Sequence, residues 1–271
     1  MVRMKEMKEI YGSWCLLAGA AEGLGEAYAI ALAQRGLNII MVDNQDELLH
    51  SLGDRLEQDF RISTRRICLD LAETESASKI MEAISETLCR LMVYNAAFSR
   101  IRRFREYSQE DMDRYLEVNV RMPARLVQGM VSLNSGNAGQ KKGIILMASM
   151  AGLWGSGLLA PYGATKAYNI VLAEALHHEL KPEGFDVMAC VAGPTSTPAY
   201  LATHPHYGRI PIHVMNPQQV AEGALGSLGK RAFYIPGWRN RLNYFLLTRI
   251  LPRRITARLF NRATGNLYPE A

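Results

Sequence analysis

The chain has 271 residues, of which 48% are hydrophobic and 21% are charged, ordinary values for a globular protein. A chain of this length forms one large α/β domain or two small ones and buries a substantial core. Its four cysteines are scattered without metal-ligand spacing, and we expect small core residues in a reducing compartment. No apolar stretch approaches the roughly 18 residues that span a bilayer, which predicts a cytoplasmic protein.

The net charge of +5 is unevenly distributed along the chain. Residues 230–271 contain nine Lys/Arg and one acidic residue, a net of +8. The remaining 229 residues contain 22 basic and 25 acidic side chains, a net of −3. The basic character therefore belongs to the C-terminal segment, and this distribution argues against nucleic acid as a partner of the body.

Strand-like apolar runs alternate with helical patterns over residues 1–236, which is typical of parallel βαβ units. Strands are predicted at 13–18, 37–42, 65–69, 91–94, 143–148, 186–191 and 232–235. Helices are predicted at 25–34, 46–60, 108–133 with a bend near Pro123, 161–180 and 217–228. Residues 195–217 predict a long loop that acts as a lid. The pattern indicates an α/β fold, with one doubly wound domain built on a seven-stranded parallel sheet flanked by helices.

Gly19, Gly23 and Gly25 lie between the first predicted strand and the first predicted helix. In that context backbone N–H groups and a helix N-terminus can hold a pyrophosphate. Asp43 ends the second strand, where a carboxylate accepts hydrogen bonds from an adenosine ribose diol and repels a 2′-phosphate. Glu22 adds negative charge to the loop or caps the helix. No Lys or Arg lies nearby in sequence, so NAD(H) is favoured over NADP(H).

Tyr162 and Lys166 are four residues apart at the start of a predicted helix and therefore share one helix face. An ammonium beside a phenol stabilises the phenolate, so we expect Lys166 to lower the pKa of Tyr162. Ser149, at the end of the fifth strand, can hydrogen-bond the same oxygen. A tyrosine tuned in this way passes a proton to or from an alcohol near neutral pH.

These motifs resemble the short-chain dehydrogenase/reductase family over roughly residues 11–235. The positions that match in order and spacing are Gly19, Gly23, Gly25, Asp70, 95–97, Asn119, Ser149, Tyr162, Lys166, Gly193, Pro194 and Thr197. The runs 11–14, 27–28 and 35–39 resemble more specifically the branch of 17β-hydroxysteroid dehydrogenases and very-long-chain 3-oxoacyl-CoA reductases. Members of that branch typically use NADPH, and Asp43 departs from this pattern.

The resemblance implies a Rossmann domain over 1–236 and four catalytic residues. Ser149 would orient the substrate carbonyl, and Tyr162 would donate or accept the proton. Lys166 would also hold the nicotinamide ribose. Asn119 would distort its helix and hold a water that leads from Lys166 to solvent.

The resemblance also implies how the cofactor is held. Asp70 and Leu71 would contact the adenine, Asn95 with Ala96 would support the adenosine ribose, and Thr197 would fix the carboxamide. The expected cofactor-binding set is Gly19, Glu22, Gly23, Leu24, Gly25, Asp43, Asp70, Leu71, Asn95, Ala96, Tyr162, Lys166, Gly193, Thr195 and Thr197. The chemistry requires no metal, and none is expected.

Apolar side chains between Ser149 and Tyr162 and in the predicted lid indicate a hydrophobic substrate. Trp154, Leu159 and Tyr200 are expected to contact it. Further lid candidates are Leu201, Tyr207, Ile210, Ile212 and Met215. The same side chains can instead complete the core.

The predicted function is NAD(H)-dependent interconversion of a secondary alcohol and a ketone on a bulky hydrophobic substrate, steroid-like or fatty-acyl. One alternative is an enzyme for a smaller ketone or a sugar-like alcohol. Another is a catalytically idle NAD-binding scaffold. The resemblance also implies a homodimer or homotetramer formed through the helices at 108–133 and 160–180.

Residues 237–271 form a basic C-terminal extension in which arginines alternate with apolar side chains. Pro252 is expected to divide it into two short helices. A basic amphipathic segment can lie on an anionic membrane surface, which would make the protein peripherally membrane-associated. Alternatively, its apolar side packs over the substrate cleft or on a sister subunit, or its arginines bind a CoA phosphate.

Overall fold

The computed structural model describes residues 6–135, 139–207 and 213–269, apart from the side chain of Glu6. Its central feature is one parallel sheet with the strand order β3-β2-β1-β4-β5-β6-β7. The strands are β1 (Trp14–Ala18), β2 (Asn38–Asp43), β3 (Thr64–Cys68), β4 (Leu91–Tyr94), β5 (Lys142–Ser149), β6 (Phe185–Ala192) and β7 (Phe233–Tyr234). The strand order reverses between β1 and β4, which opens a crevice at their carboxyl ends. The predicted doubly wound fold is confirmed.

Helices connect the strands and cover both faces of the sheet. In chain order they are α1 (Glu6–Tyr11), α2 (Leu24–Ala33), α3 (Asp46–Phe60), α4 (Ser76–Thr87), α5 (Gln109–Leu116), α6 (Met122–Asn134), α7 (Ala160–Glu179), α8 (Pro198–Leu201), α9 (Pro217–Leu225), α10 (Trp238–Arg249) and α11 (Arg253–Leu267). None of those in the described ranges is long and apolar enough to span a bilayer.

The sheet separates two hydrophobic cores because successive side chains of a strand point to opposite faces. Leu16 and Ile40 belong to one core, and their neighbours Leu17 and Ile39 belong to the other. Strands buried on both faces are continuous apolar runs, which is why the sequence pattern located them. Cys15, Cys89 and Cys190 are buried as expected, but Cys68 is exposed because it ends the edge strand β3.

The helix predicted at 108–133 is interrupted. It consists of α5, a π-helical turn at Glu117–Arg121, and α6. Pro123 follows the π turn within continuous helical backbone, and because it has no N–H, it supplies no donor to the carbonyls of that turn. The π turn contains Asn119, one of the residues predicted to be catalytic.

Three helices lie outside the predicted elements, and one of them, α8, is a short helix within the predicted loop. The helix α1 has only six residues, and α4 buries few apolar side chains in a polar, serine- and glutamate-rich run. The buried face of α4 repeats apolar residues at helical spacing, with Ile80, Ala83 and Ile84 buried, so its sequence did contain a signal for a helix. The predicted division at Pro252 agrees with the structure, because α10 ends at Arg249 and α11 begins at Arg253.

Candidate active site

The crevice between β1 and β4 is held open by hydrogen bonds at the ends of these two strands. The N–H groups of Asn95 and Ala96 both donate to the carbonyl of Ala18, each over 2.9 Å. The side-chain amide of Asn95 donates to the carbonyl of Gly19 over 2.8 Å. Asn95 therefore joins the loop after β4 to the glycine loop, which gives it a structural part in the crevice.

The glycine loop has no room for side chains. Gly19 has a φ of 77°, and a Cβ there would lie 2.6 Å from the backbone nitrogen of Ala96. A Cβ on Gly25 would overlap the carbonyl oxygen of Gly19. Gly23 has a φ of 61°, and a Cβ on it would lie 3.0 Å from the Cβ of Thr197. The three glycines thus let the loops after β1, β4 and β6 approach one another closely at the N-terminus of α2, where a pyrophosphate could bind.

Asp43 is held in place by the backbone around it. Its Oδ2 accepts from the N–H of Ala21 over 2.9 Å, and its Oδ1 accepts from Asn44 and Gln45 over 2.9 and 3.2 Å. A carboxylate has about four acceptor positions, so one position remains for a ribose hydroxyl. Glu22 contributes its backbone carbonyl, which accepts from the N–H of Gly25 over 3.0 Å at the start of α2.

Asp70, predicted to contact the adenine, forms an ion pair with Arg114 of α5, with 2.6 Å between Oδ2 and Nη2. Its Oδ1 accepts from the N–H of Ala72 over 2.9 Å, and the neighbouring Leu71 is buried. The guanidinium of Arg114 lies over the ring of Phe98, 5.6 Å from its centroid. Asp70 therefore fixes the last turn of α5, and its contact with adenine stays a prediction.

Ser149, Tyr162 and Lys166 meet at the carboxyl end of β5. The hydroxyls of Ser149 and Tyr162 are hydrogen-bonded, and Ser149 Oγ also accepts from the N–H of Ala151 over 3.1 Å. Lys166 is only 2% exposed, and its Nζ donates to the carbonyl of Met147 over 2.9 Å. The same Nζ lies 5.7 Å from the ring centroid of Tyr162. The structure thus brings together three of the four residues predicted to be catalytic.

Burial controls the protonation of this group. It raises the pKa of Tyr162 above the ordinary value of 10.0, although the hydrogen bond with Ser149 opposes the rise. The hydroxyls of Tyr115 and Tyr268 lie close enough to raise the pKa of Tyr162 further. Burial lowers the pKa of Lys166 to about 8. The expectation that Lys166 lowers the pKa of Tyr162 is therefore wrong here, because desolvation outweighs the attraction and Nζ is directed at Met147.

Asn119 connects the π turn to its surroundings. Its Oδ1 accepts from the N–H of Phe98 over 2.7 Å, and its Nδ2 donates to the carbonyl of Phe98 and to Thr165 Oγ1 over 2.9 and 3.1 Å. Its own backbone carbonyl accepts from Asn169 Nδ2 of α7 over 3.2 Å. That carbonyl has a second lone pair, so it can also accept from a water. The water relay from Lys166 stays a prediction.

The segment after β6 closes the crevice from the other side. Thr195 Oγ1 donates to the carbonyl of Gly193 over 3.0 Å, and Thr195 pairs with Met215 in a parallel bridge. Thr197 Oγ1 accepts from the N–H of Tyr200 over 3.2 Å and thereby caps α8. Because Thr197 also lies against Gly23, this segment and the glycine loop form one continuous surface.

Some of the side chains expected to contact the substrate pack against other parts of the protein, and others are exposed. Trp154 is buried, and its ring lies 5.6 Å from that of Phe260 in α11, so part of its surface is covered by protein. Leu159 immediately precedes α7, and the hydroxyl of Tyr200 lies 3.4 Å from that of Tyr207. Leu201 is exposed and Met215 is buried. Two further lid candidates, Ile210 and Ile212, lie outside the described residues.

The helix α11 covers the loop between β5 and α7. Ser156 Oγ donates to Thr264 Oγ1 over 2.8 Å, and the N–H of Gly157 donates to Asn261 Oδ1 over 2.7 Å. Beyond the helix, Tyr268 Oη lies 3.2 Å from Thr203 Oγ1 of the lid. The extension therefore joins the two segments that border the substrate side of Tyr162.

Two residues near Tyr162 were missed by the sequence reasoning. Tyr115 is buried in α5, where its hydroxyl accepts from the N–H of Arg100 over 2.7 Å. Tyr268 follows α11 at the far end of the chain. No local pattern marks either residue, because each is brought to Tyr162 by contacts between distant segments.

Comparison with known proteins decides the family. Residues 13–207 match the family described as short chain dehydrogenase. This chain belongs to the short-chain dehydrogenase family. The predicted resemblance to this family is thereby confirmed, and so is the prediction of an oxidoreductase that binds a nicotinamide cofactor.

Individual relatives are similar at a lower level. A 7beta-hydroxysteroid dehydrogenase of Clostridium sardiniense is 27% identical over 234 residues, which cover 86% of this chain and 89% of the relative. A very-long-chain 3-oxoacyl-CoA reductase of Phaeosphaeria nodorum is 28% identical over 257 residues, which cover 90% of this chain and 73% of the relative. Among solved structures, a 7beta-hydroxysteroid dehydrogenase matches with a TM-score of 0.83 at 24% identity, covering 93% of this chain and 98% of that one.

Replacing Gly25 by alanine tests the close approach within the glycine loop. The added methyl overlaps the carbonyl of Gly19, so we expect Gly25→Ala to lower the free energy of unfolding by about 3 kcal/mol or more and to weaken NADH binding. The matched control is Gly265→Ala in α11, where a Cβ has no atom within 4 Å. That change should stabilise the protein by up to about 1 kcal/mol. Urea unfolding measures both, and equal effects would contradict the packing argument.

Replacing Lys166 by methionine tests the burial of its charge. Below pH 8 the lysine is charged in both the folded and the unfolded state, and its burial opposes folding. Between pH 8 and 10.5 the folded state has released a proton that the unfolded state still binds, so Lys166 makes the wild type more stable as pH rises. The difference in unfolding free energy, wild type minus Lys166→Met, should therefore rise by about 2 kcal/mol between pH 7 and pH 10.

Urea unfolding at the two pH values measures this gain. The exposed Lys181, replaced by methionine, is the control and should show no comparable change relative to the wild type. If the unfolding free energies of both variants change with pH by the same amount as that of the wild type, the Lys166 ammonium is not desolvated.

Proposed function

We propose that this short-chain dehydrogenase interconverts a secondary alcohol and a ketone on a bulky apolar substrate, with NAD(H) as its cofactor. The observation that carries the proposal is the hydrogen-bonded pair of Ser149 and Tyr162 beside the buried Lys166. The pair lies at the carboxyl end of β5, where the sheet also positions the glycine loop.

The chain's own residues supply orientation and the proton. Ser149 donates a hydrogen bond to the substrate oxygen and holds it against Tyr162 Oη. Because burial raises the pKa of Tyr162, the phenol is protonated at neutral pH and suits the donor of a ketone reduction. Lys166 lies behind the ring and, with a pKa of about 8, can return a proton to the site. The nicotinamide cofactor, when bound, supplies or accepts the hydride.

The surroundings of Tyr162 favour a large apolar substrate with a second polar group. Trp154 and Phe260 provide an aromatic wall where α11 meets the loop after β5. The hydroxyls of Tyr200, Tyr207 and Tyr268 are grouped at the lid, where they can bind a distant hydroxyl, carbonyl or carboxyl. The hydroxysteroid and very-long-chain acyl relatives are consistent with this substrate class.

Asp43 favours NAD(H) as the cofactor. Its carboxylate is fixed by the N–H groups of Ala21, Asn44 and Gln45 at the end of β2, beside the glycine loop. A fixed negative charge at this place attracts the hydroxyls of a ribose diol and repels a 2′-phosphate. Assembly through α5, α6 and α7 stays a prediction.

Changing Tyr162 to phenylalanine tests the proposed proton transfer and the idle-scaffold alternative together. We expect NADH-dependent reduction of steroid-like and other bulky ketones to fall by roughly 10²–10⁴, the usual contribution of a general acid. NADH affinity, measured by fluorescence titration, should stay within about threefold because the phenol is directed at the substrate oxygen. Tyr168→Phe, a partly exposed tyrosine on the same helix, is the matched control and should retain activity.

A scaffold would bind NADH and show no turnover that depends on Tyr162. Retention of full turnover in Tyr162→Phe would refute the proton-transfer role of the phenol.

Changing Asp43 to serine tests the cofactor preference. Removing the carboxylate should reduce kcat/KM for NADH relative to NADPH by about tenfold or more, because repulsion of the 2′-phosphate is lost. The ratio of the two values is the readout, since it cancels a general loss of folded enzyme. Asp46→Ser removes the same charge from an exposed position at the start of α3 and is the control. An equal ratio in both variants would contradict the assignment of NAD(H).

A further inference from the structure

The helix α10 has apolar side chains on two opposite faces. One face packs on the protein and contains Asn240, Tyr244, Leu247 and Leu251, which are buried or partly buried. The other face has the helical spacing i, i+4, i+7, i+8 and i+12 and points to solvent. Its five apolar side chains, between 40% and 63% exposed, are Trp238, Leu242, Phe245, Leu246 and Ile250. Among the described residues, packing accounts for only the first face.

The helix α11 repeats this arrangement. Thr256, Phe260 and Thr264 face the body, whereas Ile255 and Leu259, one turn apart, are 44% and 48% exposed. Thr256 Oγ1 donates to the carbonyl of Leu247 over 2.7 Å and fixes α11 to α10. We call the seven exposed apolar side chains of the two helices the C-terminal patch. Seven large apolar side chains exposed on two adjacent helices indicate an interaction site.

Arginines surround the C-terminal patch. Residues 230–269 contain no Asp or Glu. All the arginines of the two helices are exposed, and no ion pair of the described residues involves any of them. They are Arg239, Arg241, Arg249, Arg253, Arg254, Arg258 and Arg262. Positive charge without internal counter-charges requires an anionic partner, and the exposed apolar stripes require an apolar one.

We propose that the C-terminal patch docks this protein on the surface of an anionic lipid bilayer. Such a surface meets both requirements, because its headgroups carry negative charge that attracts the arginines and its acyl boundary accepts the apolar side chains. A second copy of the same patch fits poorly, since a two-fold interface would place arginines against arginines. A nucleic acid would pair with the arginines and leave Leu242, Ile250 and Ile255 in water. The docking is independent of the proposed substrate and cofactor.

Vesicle flotation of the full chain tests the proposal. We expect binding to phosphatidylcholine vesicles that contain phosphatidylserine, weak binding to phosphatidylcholine alone, and release by high salt. The apolar variant is Leu242→Gln/Phe245→Gln/Ile250→Gln. The charge variant is Arg249→Gln/Arg254→Gln/Arg258→Gln. Each arginine near an anionic surface contributes roughly fivefold, so the charge variant should bind about 100-fold more weakly.

Matched controls carry the same number and kind of changes elsewhere on the surface. The apolar control is Ile10→Gln/Leu48→Gln/Leu88→Gln, at positions that are 40% to 81% exposed. The charge control is Lys8→Gln/Arg61→Gln/Lys181→Gln, all exposed. Both controls should bind vesicles like the wild type, and circular dichroism with thermal unfolding verifies that all four variants fold.

Three outcomes would overturn the proposal. The first is wild-type protein that does not float with phosphatidylserine vesicles. The second is loss of binding in the charge variant but not in the apolar variant, which indicates a soluble polyanion as the partner. The third is an apolar variant that keeps vesicle binding but sediments at a lower mass, which indicates a subunit interface.

Discussion

The close approach of Gly25 to the carbonyl of Gly19 is the constraint on which the rest of the site depends. It sets the turn between β1 and α2 and leaves the N-terminus of α2 open toward the crevice. Gly19 in turn lies against Ala96, and Gly23 lies against Thr197, so the loops after β1, β4 and β6 meet around one backbone. A side chain at any of the three glycines would separate these loops, and the cofactor surface would be lost with them.

Desolvation is the second physical factor, and it acts on the two titratable residues in opposite senses. It favours the protonated form of Tyr162 and the neutral form of Lys166, because each of these carries no charge. Burial thus leaves a protonated phenol at Tyr162 and lowers the pKa of the neighbouring Lys166 to about 8. The pair reaches this state by burial in the protein, rather than by the direct attraction between neighbours on a helix that the Tyr-Lys spacing suggested.

Much of the fold was predictable because its elements have local causes. The buried strands are continuous apolar runs, and the three glycines mark a turn that tolerates no side chain. Other features were not predictable from a local pattern. The helix α1 has only six residues, the π turn at Asn119 depends on hydrogen bonds to Phe98 and from Asn169, and Cys68 is exposed because β3 is an edge strand.

The sequence by itself determined the parallel α/β architecture, the glycine loop, Asp43 and the grouping of Ser149 with Tyr162 and Lys166, since each follows from periodicity or short spacing. Only the tertiary structure decided what surrounds Tyr162 and how the extension is used. Ser156 and Thr264 are 108 residues apart and yet share a hydrogen bond, so α11 borders the substrate cleft with one face and presents an apolar, arginine-rich face to solvent. The helical period shows that such faces exist, but the packing of distant segments selects which one is buried.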